Sequence, residues 1–245
     1  MADQGNVVNN ADFFLGVIEN EFSVTTGWFG TPAGKFGTGQ RQEVRLDQAD
    51  TANPDGSFGF PGASNNGYGN PISLDSQNLM SDAPLPGQRV GMVFIAEWVE
   101  VLMSARGNWN AGDSSGEGLS HWSAITRFQQ GHDNYYGSFV ANWLNGTGSP
   151  NQGNILPNAA RTDWVNQTFT GATVSDGTFV HGDGDPVSYG CALAFIYYLN
   201  VQLDFSINQI IANYNGKLAS VYQALAGGTS SDPFAVFLGL LQIKA

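Results

Sequence analysis

A single cysteine, few basic residues and no apolar run long enough to cross a bilayer set the first limits on this 245-residue chain. One thiol, Cys191, excludes an internal disulfide framework and a thiolate zinc cluster. Its setting in GCALAFIYYL predicts a buried, inert group. Nine Lys and Arg stand against 21 Asp and Glu, a net charge of −12, and that balance argues against nucleic acid or an anionic bilayer as partner, since both demand clustered cations. No segment reaches the roughly 18 uninterrupted apolar residues of a membrane span. The opening MADQGNVVNNAD has neither a basic n-region nor an apolar h-region. Together with the Gly-, Asn- and Ser-rich polar fraction, it leads to the expectation of an extracellular protein, mature or exported by another route, with a cytoplasmic one left open.

Several chemistries drop out for want of a motif. There is no Walker loop and no G-x-S-x-G elbow, and Gly37-Thr38-Gly39 precedes a strand pattern instead of following one and opening a helix. The sequons at Asn145-Gly146-Thr147 and Asn166-Gln167-Thr168 are of the kind that arises by chance in a chain rich in Asn and Thr. No linker of charged or low-complexity composition interrupts the chain, and 16 Phe, 8 Tyr and 6 Trp suffice for a large core. The expectation is one domain over residues 1–245 of α+β class, with an N-terminal helix and small sheet among Gly-, Asn- and Pro-rich loops (1–87) and a mainly helical remainder (88–245).

Asn9 or Asn10 caps a first helix running to about Asn20 and ending before Thr25-Thr26-Gly27. Alternation in GQRQEVRLDQ turns Val44 and Leu46 inward, and in NPISLDSQ Ile72 and Leu74. A helix over about Gln88 to Met103 follows, then a second opened by a capping box from Ser114 to Glu117. His132 to Trp143 reads as helical or irregular, and 145–180 as loops with a hairpin near TFTGATVSDGTFV. Asp185-Pro186, Ser206 with Gln209, and Asp232-Pro233 each open a helix of the last third, and Lys217 to Ala226 forms another.

What the chain does have is VGMVFIAEWVEVLM, an oily rod from Val90 to Met103 that carries only Glu97 and Glu100 as charges. A helix apolar on nearly every side belongs indoors, and a spacing of three residues stacks the two carboxylates on one face. Burying them costs several kcal/mol per ion, so a cation, a shared proton or donors from elsewhere in the chain must answer them. Arg106, Arg127 and Arg161 are candidates, as are Tyr and Trp donors.

The order of a sheet, a buried acidic helix, a helix opened by GEGLSHW and a closing YGCALAFIYYLNVQLDFSINQII resembles the gluzincin metallopeptidases. The resemblance implies a zincin-like C-terminal part, with Ala96-Glu97-Trp98-Val99-Glu100 standing where H-E-x-x-H would be and Glu117 where that family's third ligand would be. Both zinc-binding histidines are missing, which opposes peptidase activity. Glu97, Glu100 and Glu117, with His121 one turn after Glu117, would instead make a hard site for calcium, manganese or magnesium. His121 could equally neutralise the carboxylates with no metal, and Glu117 could serve as a helix cap. His132 and His181 read as ordinary polar residues, and His181-Gly-Asp183-Gly-Asp185 as turn chemistry. The leading expectation is a non-catalytic pseudo-metallopeptidase for binding or assembly. Two alternatives stand beside it. One is a structural or adhesive self-assembling subunit presenting Tyr68, Trp109, Tyr135 and Tyr136, and the other a hydrolase using a hard divalent ion. The partner expected is a protein or a second copy.

Overall fold

The computed structural model describes residues 4–30, 42–47, 63–65, 67–75, 86–129, 137–146, 160–166, 186–227 and 232–242. Among them are eight α-helices and one three-stranded sheet, the α+β mixture with a helical bulk that the pattern predicts. The chain, read from composition as one domain, groups into two compact units. Met1–Arg106 with Ser123–Asp133 forms the first, and Gly107–Trp122 with Asn134–Ala245 the second.

In the first unit, α1 spans Gln4–Phe29, well beyond the end expected near Asn20. Phe14, Glu21, Thr25 and Phe29 continue one buried face at helical spacing. Thr25 also satisfies its hydroxyl inside the helix, donating to the Glu21 carbonyl at 2.6 Å, so the Thr-Thr-Gly triplet is helical and the chain leaves the helix only at Gly30, with φ of 68°. Helix α2, Pro86–Arg106, carries proline in its first turn, where the missing N–H costs nothing. It packs on α1 through rings: Phe14 meets Phe94 edge-on at 5.2 Å, and Phe22 stacks on Trp98 at 4.6 Å. The Arg106 guanidinium donates to the Phe29 carbonyl, placing a cation at the carbonyl end of α1.

The sheet comprises β1 (Val44–Asp47), β2 (Ala63–Asn65) and β3 (Ile72–Asp75) in the order β1-β3-β2. The β1 and β3 strands run parallel with Val44 opposite Ile72, and β2 is antiparallel to β3 with Asn65 opposite Ile72. Ile72 and Leu74 are buried as the alternation predicts, whereas Val44 and Leu46 are half-buried. The end of α3 (Ser114–Arg127) completes this unit. There Arg127 forks onto the buried Glu21 of α1 at 2.6 and 2.8 Å, a bidentate pairing that also raises the guanidinium pKa.

The second unit holds the start of α3, then α4 (Gly137–Asn145), α5 (Pro186–Tyr197), α6 (Ile207–Asn213), α7 (Leu218–Ala226) and α8 (Pro233–Gln242). A π-helical turn, Tyr198–Gln202, continues α5. Two of the expected openings are in place. Ser206 and Gln209 form a reciprocal capping box, and the Asp232 carboxylate accepts from the Phe234 N–H at 3.0 Å. Trp143 of α4 stacks on Phe237 of α8 at 5.6 Å, and Phe237 in turn meets Phe195 of α5 edge-on at 5.3 Å. Helices α4 and α5 approach so closely that a Cβ at Gly190 would overlap the Phe139 carbonyl. The expected hairpin between 145 and 180 and the Asp185 cap lie outside the described residues.

Candidate functional site

The carboxylate pair sits on α2 of the first unit, and one amide donates to both of its members. Glu97 and Glu100 are half-buried among fully buried neighbours, Trp98, Val99 and Val101. From the end of β2, Asn65 Nδ2 donates to Glu97 Oε2 at 2.7 Å and to Glu100 Oε2 at 2.8 Å. A primary amide has two N–H hydrogens, so one group can serve both acceptors. Its orientation is fixed from the other side, because Asn65 Oδ1 accepts from the Gly67 N–H at 3.2 Å. Gly67 and Gly69, with φ of 80° and 84°, shape the turn that leads into β3. Of the arginines considered as partners, Arg127 holds Glu21 and Arg106 holds the Phe29 carbonyl. The Asn65 amide is thus a donor that the structure brings to this pair from elsewhere in the chain.

Glu117 and His121 lie one turn apart on α3 of the second unit, with His121 Nε2 3.5 Å from Glu117 Oε2. Phe139 stacks on the imidazole at 5.0 Å and Tyr189 meets it edge-on at 5.2 Å. Burial in this aromatic box lowers the His121 pKa to about 3, so the ring is neutral at physiological pH. The imidazolium considered from the sequence as a way to neutralise the carboxylates is therefore not formed at that pH.

The helix start differs from expectation. Asp113, not Ser114, supplies the capping oxygen, accepting from the Gly116 N–H at 2.8 Å, while its own carbonyl accepts from Glu117 N–H at 2.9 Å. Ser114 instead shares a 2.5 Å hydrogen bond with Ser188 of α5. Gly116 and Gly118 let the helix lie against its neighbours: a Cβ at the first would overlap the Asn110 carbonyl and at the second the Ala192 side chain.

Around Asp113 is a buried polar group that sequence reasoning missed. Tyr214 OH lies 3.5 Å from Asp113 Oδ2, and desolvation raises the pKa of both groups. Trp109 stacks on Tyr214 at 3.8 Å and donates its indole N–H to the Ile211 carbonyl at 3.1 Å. The expectation that Trp109 is an exposed contact residue is thereby corrected: the ring is buried, because the loop after α2 folds back onto α6. Tyr68 is half-buried, and Tyr135 and Tyr136 lie outside the described residues.

The four residues read as ligands from the sequence thus fall as one pair on α2 and one on α3, each with its own local partners. Among the described residues, no group of three or more His, Cys, Asp or Glu side chains could hold a metal ion. His132, His181, Asp183 and Asp185 lie outside those residues. Cys191 is fully buried and its thiol pKa is pushed up by desolvation, so it stays protonated and unreactive as its apolar setting predicts. No helix among the described residues is long and apolar enough to cross a membrane. No family model, curated protein or solved structure matches the chain.

Proposed function

We propose that this chain is a non-catalytic binding or assembly domain with a zincin-like order of elements, a pseudo-metallopeptidase whose acidic residues serve structure. The observation that carries this reading is the Asn65 amide held across Glu97 and Glu100. A metallopeptidase base works on a water activated by metal, whereas the Glu97 oxygen here accepts an amide N–H from its own chain. Ala96, at the position of the first zinc ligand, is buried and offers no donor atom. Glu117 is likewise engaged locally, against a neutral imidazole.

The test is calorimetry with calcium, manganese, magnesium and zinc, run beside a peptide-hydrolysis assay in each metal. The expected result is neither saturable heat nor hydrolysis. Hydrolysis abolished by Glu97→Gln, or saturable metal uptake lost in Glu100→Gln, overturns the reading and favours a hydrolase using a hard ion.

A self-assembling subunit is the second reading, supported by apolar side chains that the second unit leaves in solvent. Tyr197 and Val201 are half exposed one turn apart, and Val236 and Leu240 are exposed at the same spacing on α8. Mass photometry over a dilution series separates the two. Species larger than the monomer that grow with concentration mark an assembling subunit, and a persistent monomer marks a solitary binder.

A further inference from the structure

Three Asn-Gly dipeptides occur in the chain, at 66–67, 145–146 and 215–216. This pair of residues is chemically fragile because glycine offers no side chain to hinder attack by its own backbone nitrogen on the preceding amide. The folded structure treats the three sites differently. The Gly67 N–H is already donated to Asn65 Oδ1 at 3.2 Å, so that nitrogen is held in a hydrogen bond and pulled toward a different residue. Asn145 is the last residue of α4, and a Cβ on Gly146 would lie 2.7 Å from the Ala160 nitrogen, so this dipeptide is pinned in a helix end against a neighbouring segment.

Asn215 has neither restraint. It follows Tyr214, the extended residue that ends α6, and precedes Gly216, whose φ is 79°. Its side chain is exposed. Its own N–H donates to Ser220 Oγ at 3.1 Å, which anchors the residue behind the reacting bond and leaves its side chain in water. We infer that Asn215 is the preferred site of spontaneous modification in the native protein, its side-chain amide being converted to a carboxylate through a cyclic imide.

Hydroxide removes the Gly216 amide proton, and the nitrogen lone pair attacks Asn215 Cγ. A new N–Cγ bond closes the five-membered imide, the Cγ–Nδ2 bond breaks, and Nδ2, which carries two hydrogens, takes one proton from water to leave as ammonia and regenerate hydroxide. Water then adds to either imide carbonyl. Opening at one carbonyl gives aspartate, and opening at the other gives isoaspartate, in which the main chain runs through Cβ and Cγ. No oxidant or reductant takes part. Both products place an anion beside Lys217, at the N-terminus of α7, and the second also lengthens a connection whose turn is closed by Ser220 donating to the Lys217 carbonyl at 2.6 Å.

The test incubates the intact folded chain in mildly alkaline buffer. Peptide mapping by mass spectrometry with electron-based fragmentation follows aspartate and isoaspartate at each of the three positions, with a parallel incubation in concentrated denaturant. In the folded chain, conversion at Asn215 should outpace that at Asn66 and Asn145 several-fold. In denaturant, where the restraints vanish, the three rates should converge. Asn215→Gln, whose ring closure would need six members, should abolish the dominant product and most of the ammonia released. Faster conversion at Asn66 or Asn145 in the folded chain overturns the inference, as does a ranking that denaturant leaves unchanged.

Discussion

Asn65 bridges two half-buried carboxylates on α2. A single neutral side chain supplies two charge-assisted hydrogen bonds, and such bonds contribute about 1.5 to 3 kcal/mol each when a carboxylate is the acceptor. Asn65→Leu removes both donors at once, and because water can reach the half-buried carboxylates in their place the expected loss is below the sum of the two bonds, about 2 to 3 kcal/mol in urea unfolding. Glu97→Gln keeps an acceptor oxygen and relieves the repulsion between like charges, so the expected change is within about 1 kcal/mol. If these effects were reversed, with the glutamate change costly and the asparagine change neutral, the pair would answer to a cation and the amide would be incidental. The Glu21 and Arg127 pair makes a different kind of contact. There a buried carboxylate has a full bidentate countercharge, a guanidinium fork in place of an amide bridge.

At the scale of helices, glycines mark where two elements touch and where they do not. Gly190 of α5 faces the Phe139 carbonyl with no room for a methyl, so Gly190→Ala is expected to push α4 and α5 apart and cost about 1 to 3 kcal/mol. At Gly239 of α8 an added Cβ would meet nothing within 4 Å, so Gly239→Ala should stabilise by about 0.5 to 1 kcal/mol through helix propensity alone. Paired thermal melts that moved in the same direction would refute the assignment. Elements with a strong local signal were legible in the sequence. The oily run of α2, the box at Ser206 and the alternation of β3 each depend on neighbours a few residues away. The full length of α1 was not legible, because Thr25 and Gly27 read as turn formers, whereas Thr25 is buried and bonds its hydroxyl back to the Glu21 carbonyl within the helix. The short β2 was also missed, and Asn65 with it, although Asn65-Asn66-Gly67 is a turn signal. What makes Asn65 a partner of Glu97 is the packing of β2 on α2, a contact across 32 residues that no local pattern encodes. Ser114 and Asp113 are both good caps, and the tie is broken by Ser188, which takes the serine.

For the whole molecule, the buried titratable groups of the second unit predict how stability follows pH. His121 is held neutral down to about 3 in the folded state, whereas an unfolded histidine takes its proton near 6.5. Between those values the unfolded chain binds more protons, so stability is complete above about 6.5 and falls as the medium is acidified toward about 3. The slope contributed by one such group reaches about 1.4 kcal/mol per pH unit. Asp113 works in the opposite sense. Desolvation raises its folded pKa above 3.8, so the folded chain holds that proton longer, and its contribution favours the native state at low pH and fades as pH rises through the carboxylate range. The two effects oppose one another only in that lower interval. In the upper part of the window the histidine acts against the groups packed on it, Glu117 from its own helix, Phe139 from α4 and Tyr189 from α5. Urea unfolding at a series of pH values should therefore show a midpoint that declines as pH drops below about 6.5. In His121→Phe, which fills the same aromatic box with a ring that cannot titrate, the decline in the upper window should be shallower. An identical pH profile for the two proteins would mean that His121 takes its proton while folded, with Glu117 as the partner that accommodates it.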